Sequence, residues 1–139
     1  MADWVDLHED WPDLRGTFLH AWPEAEVGAL RARLEARGFR TLYVDTREGS
    51  FLDGLAAGLG RERGPGLDAA NDLLLDWAGL ARAPRAVVWS GADALAARDA
   101  QAFLDSLWLL EALVPSDYAE PQCEVFVAGA GPAYLRRST

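Results

Sequence analysis

Lysine is missing altogether: all 13 basic residues of this 139-residue chain are arginine. A Walker A loop sets a Lys on its phosphates and a Schiff-base mechanism needs a Lys amine, so both are excluded. Cysteine is almost as scarce. Cys123 stands alone, which rules out an internal disulfide and fits a reducing compartment. Glu124 beside it is the reverse of the electropositive setting that activates a thiol, so Cys123 is expected to be a buried, inert strand residue. The two histidines, His8 and His20, are expected at the surface and at a strand edge, not as ligands or bases. No apolar stretch approaches the ~20 residues that span a bilayer. The acidic start of the chain lacks a basic segment followed by an apolar run, so no signal peptide is expected. A cytoplasmic protein is the expectation.

What is present points to one packed domain. Half of the residues are hydrophobic and six are tryptophan, enough to build a real core at this length. The net charge of −9 argues against nucleic acid or an anionic membrane as partner and favours a basic protein or a cationic ligand.

Residues 1–15 carry five acids with Trp4 and Trp11 between them. They read as an acidic N-terminal arm whose tryptophans pack if a surface is offered. The domain then runs over 16–139. Gly16 to His20 suggests a short strand. Pro23, Glu24 and Glu26 open a helix that Val27, Leu30 and Leu34 continue and Arg37-Gly38 closes. Phe39 to Asp45 predicts a strand and Thr46 to Gly49 a turn. Ser50 caps a helix with Phe51, Leu52, Leu55 and Leu59 on its apolar face. Gly58 to Gly66 is a loop.

After the next helix, Pro84 to Trp89 has the length and apolarity of a buried parallel strand. Ser90 to Asp93 reads as a turn out of it. Asp99 caps a helix to about Leu113, with Phe103, Leu107, Leu110 and Val114 inward and Trp108 partly exposed. Pro115 breaks it, and Cys123 to Ala128 is the last strand. The order β-α-β-α-α-β-α-β predicts an α/β fold with helices on the faces of a parallel sheet.

The helix between the second and third strands, to about Leu80, carries the most information. Asp68, Asp72 and Asp76 fall at i, i+4 and i+8 and share one face. Leu67, Ala70, Leu73, Leu74 and Trp77 form the opposite, apolar stripe. Aspartate is a poor helix former and like charges one turn apart repel. The stripe is therefore either a solvated face or a surface built to meet cations. A hard metal ion shared by two of the carboxylates is a third reading, but nothing supplies its other ligands at legible spacing. Val88-Trp89-Ser90-Gly91 lacks the leading Gly of a nucleophile elbow, and the glycines from Gly54 to Gly66 do not fit a dinucleotide loop. No cofactor and no catalysis are expected.

Gly64-x-x-Leu67-Asp68-Ala69-x-x-Asp72-x-Leu74, followed by Trp77 and then by Pro84-x-x-Val87-Val88-Trp89, resembles the barstar family of intracellular inhibitors of barnase-type ribonucleases. The resemblance covers roughly residues 39–129. It implies a single-domain, three-layer fold, a small mostly parallel sheet with helices packed on it. It also implies a function without catalysis: the aspartate helix enters the active site of a small basic secreted ribonuclease and meets the Arg and Lys that grip RNA phosphates. By motif position Asp72 is the anchor and Asp68 a second contact. Glu62, Gly64, Gly66 and Leu67 of the preceding loop, with Asn71, Leu75, Asp76 and bordering Trp77, lie where the family touches its enzyme. Glu111 and Asp105 are both candidates for a further family carboxylate on the later helix. The chain departs from the family at Glu62-Arg63 and Asn71, where aromatics are common, and at Gly66, where Asn is usual. These departures bear on which ribonuclease is bound, and leave a partner-binding module without a ribonuclease as the alternative.

Overall fold

The computed structural model describes residues 6, 7, 11, 19–60, 66–79, 84–115 and 122–129. Its frame is a four-stranded, all-parallel sheet of β1 (Leu19–Trp22), β2 (Arg40–Asp45), β3 (Arg85–Ser90) and β4 (Cys123–Ala128), in the order β1-β4-β3-β2. Among the described residues five α-helices accompany them: α1 (Val27–Ala36), α2 (Phe51–Leu59), α3 (Gly66–Gly79), α4 (Ala92–Arg98) and α5 (Ala100–Glu111). The expected parallel α/β architecture is what the chain adopts.

Side-chain alternation divides the core in two. Leu42, Val44, Val87, Trp89, Val125 and Val127 face α2 to α5. Ala86, Val88, Phe126 and Ala128 face the other way, onto Val27, Leu30 and Leu34 of α1 together with Leu7 and Trp22. The result is helix, sheet and helix in three layers. Trp11 also packs on this second cluster, edge-on to Trp22 at 5.3 Å between ring centroids. At Leu7 and Trp11, then, the acidic N-terminal stretch is docked on the sheet.

Several boundaries differ from the sequence expectation, each for a local reason. The first strand runs Leu19–Trp22, later than expected, and residues 12–18 lie outside the described residues. Its register sets His20 beside Phe126 and Trp22 beside Ala128. His20 lies on the edge strand, where a strand-edge residue was expected, but it is covered there. It is 2% exposed, with its ring 4.8 Å from Phe126 and Nε2 2.9 Å from Glu124 Oε1. β1 is an edge strand in its hydrogen bonding, yet this face of it is covered. The α-helix that was expected to open at Pro23 begins only at Val27, because Glu24–Glu26 form a 3-10 turn. The segment expected as a turn, Ser90 to Asp93, contains the start of a helix. Only Gly91 turns, in the left-handed region at φ +76, and Ala-rich α4 follows at once. Asp99 is extended and ends α4 while capping α5, its carboxylate accepting from Ala102 N at 3.1 Å.

The Ser50 cap forms as expected, accepting from Asp53 N at 3.1 Å. Behind it, α2 rides very close to β2. A Cβ at Gly54 would lie 2.6 Å from the Asp45 carbonyl oxygen, and one at Gly58 would meet the Tyr43 carbonyl. Glycine inside a helix normally costs about 1 kcal/mol relative to alanine. At this interface the sign reverses, because the neighbour is backbone and cannot swing away. Gly54→Ala is expected to lower stability by more than about 1 kcal/mol in urea unfolding, where an ordinary helical glycine would gain from the change.

Candidate functional site: the aspartate helix

α3 is held by its inner face. Ala70, Leu74 and Trp77, at 2%, 1% and 4% exposure, lie in the helix-side core with Leu55 of α2 and Phe103 of α5. Ala69 and Leu73 are partly buried against the same cluster. The spacing of these residues brings one stripe of the helix inward. Asp72 is on the other side and exposed, and Asn71 beside it is half-buried.

Of the residues expected to meet a partner, Gly66, Leu67, Asp68, Asn71, Asp72, Leu75, Asp76 and Trp77 all belong to this one uninterrupted helix. Positions 68 and 76 are one turn before and one turn after position 72, on a single helical row. Glu62 and Gly64 lie outside the described residues. Trp77, expected on the apolar stripe and also as a border to a partner, lies in the core and anchors the helix. The two candidates on α5 differ: Glu111 is exposed, whereas Asp105 is half-buried and accepts from Gln101 Nε2 at 2.9 Å.

The second place to look for a site is the carboxyl edge of the sheet, where open parallel sheets usually bind small ligands. At the end of β3 that edge is filled from within. The Glu24 carboxylate accepts from Ser90 Oγ and from Gly91 N, both at 2.5 Å. It thus occupies the strand-to-helix turn where an anion would otherwise sit, and it ties the end of β1 across β4 to β3. Thr46 Oγ1 accepts from Trp89 Nε1 at 2.8 Å and donates to the Gly91 carbonyl at 2.9 Å. Arg98 Nη2 donates to the carbonyls of Thr46 and Gly49, at 3.0 and 2.5 Å. Ser90 is 1% exposed with its hydroxyl committed to Glu24, so no nucleophile is presented there. Sequence reasoning missed this use of Glu24, because the pair is 66 residues apart and Glu24 reads locally as a helix-opening acid.

Beside that edge, Arg47 grips Asp45 with Nε at 3.0 Å from Oδ1 and Nη2 at 2.7 Å from Oδ2. These hydrogen bonds hold the Asp45 carboxyl below the usual carboxylate range. Among the described residues no three His, Cys, Asp or Glu side chains are grouped so as to hold a metal ion, and no helix is long and apolar enough to cross a membrane.

No protein-family model matches the chain, nor does any curated protein or solved structure.

Cys123 is buried at 1% exposure, and burial pushes its thiol up to about 12. The folded protein thus favours the neutral thiol, and the benefit is complete below the unfolded value near 9. Stability is expected to fall as pH rises from about 9 to about 12, by up to roughly 1.4 kcal/mol per pH unit for this group. Denaturant titrations of the wild type and Cys123→Ala across that range check this. The variant should show the shallower decline. Iodoacetamide at neutral pH should label the wild type only after unfolding.

Proposed function

We propose that this protein is an inhibitor that binds the active site of a small, basic, barnase-type ribonuclease through α3 and performs no chemistry of its own. The observation that carries the reading is the division of labour on α3. Its apolar stripe is locked in the core while Asp72 projects from a fixed backbone into solvent. A carboxylate held in this way resembles an RNA phosphate in charge and in its capacity to accept several hydrogen bonds from Arg and Lys. The Gly64 to Trp89 motif and its likeness to the barstar family support the choice of enzyme. Asp72 is the anchor, with Asp68 and Asp76 a turn away on either side. The absence of lysine and the net charge of −9 suit a cationic partner. The cytoplasm is the compartment this reading assigns, in keeping with a single buried thiol.

Because Asp72 is exposed and contributes to no core contact, Asp72→Ala is expected to abolish inhibition and leave the melting temperature unchanged or slightly higher. Titration into a panel of barnase-type ribonucleases, read by RNA cleavage at low and physiological salt, checks it. Stoichiometric inhibition that weakens with salt supports phosphate mimicry. No inhibition across the panel refutes the ribonuclease reading and leaves the fold intact.

A further inference from the structure

α5 leaves a face unaccounted for. Phe103, Ser106, Leu109 and Leu110 of this helix are buried, whereas Leu104 and Trp108 are 54% and 71% exposed. They are the large hydrophobics exposed among the described residues. At i and i+4 they are surface neighbours, so they form a patch and not two scattered side chains. The helix Ala100–Glu111 contains no base, and Glu111 follows Trp108 by three positions, exposed on the adjoining turn.

We propose that this Leu104–Trp108–Glu111 face docks a protein surface that presents arginine. An indole face attracts a guanidinium through its ring quadrupole, and Trp is the strongest side chain for this. Glu111 supplies the carboxylate that pairs with the same or the neighbouring cation. Leu104 offers apolar area to the guanidinium's stem. Charge argues against a second copy of this chain as the occupant. Self-association would bring Glu111 and Asp105 against like groups on a molecule of net charge −9. The same field repels nucleic acid and anionic lipid. The proposal rests on α5 alone and does not need the ribonuclease reading.

The test uses the full chain labelled with nitrogen-15, titrated with octa-arginine and separately with octa-glutamate. The Trp108 indole N–H signal is assigned from Trp108→Phe. The expected result is a shift of the Trp108 indole and the Glu111 amide with octa-arginine only, diminishing as salt is added. Trp108→Ala should weaken the peptide by about two- to fivefold, and Glu111→Gln should weaken it too. Asp72→Ala should leave the Trp108 shift in place, which separates this face from α3. Both α5 positions are exposed, and the wild-type titration decides even if a variant folds badly. An unmoved Trp108 indole overturns the proposal. So does a dimer in sedimentation that Trp108→Ala dissolves, since the face would then belong to a second copy.

Discussion

Every residue of β3 and β4 is buried, and the rest of the structure depends on that. Two neighbouring parallel strands of this kind need cover on both faces. The chain provides α2 to α5 on one face and α1 with Leu7 and Trp11 on the other. Trp89 is where the burial is most demanding. It is fully enclosed, edge-on to Phe51 at 5.2 Å and stacked on Phe103 at 5.4 Å. Its indole N–H would be costly to bury unpaired, and Thr46 at the end of β2 removes that cost. One side chain thereby fixes the relative placement of β2, β3, α2 and α5.

α3 inherits its role from this arrangement. Three aspartates and no base give the helix weak local propensity. The helix persists because Ala70, Leu74 and Trp77 are buried, a tertiary contribution that overrides weak local propensity. The backbone under Asp72 is thereby fixed by the core on the opposite side of the helix.

The sequence made most of this fold legible through period and punctuation. β2, β3 and β4 are compact apolar or alternating runs, and Ser50 and Asp99 act as the caps their positions suggest. What escaped was non-local. α4 was hidden because Gly91 and Asp93 look like turn residues, while the turn itself needs only Gly91 and a carboxylate from Glu24. His20 is an edge-strand residue, and its burial becomes visible only when β4 is placed beside it and Phe126 and Glu124 enclose it. For the site, the inner stripe of α3 and the exposure of Asp72 followed from helical spacing.

The all-arginine composition acquires a structural sense from where the described cations go. Arg98 reaches the carbonyls of Thr46, Arg47 and Gly49 at once. Arg47 grips both oxygens of Asp45, and Arg31 lies 4.2 Å above the Tyr43 ring. Each of these uses the planar, many-donor guanidinium in a way an ammonium could not match. Arg47 and Arg98 are themselves exposed, so these guanidinium groups hold loops and strand ends from the surface, where Asp72 and Glu111 also face water.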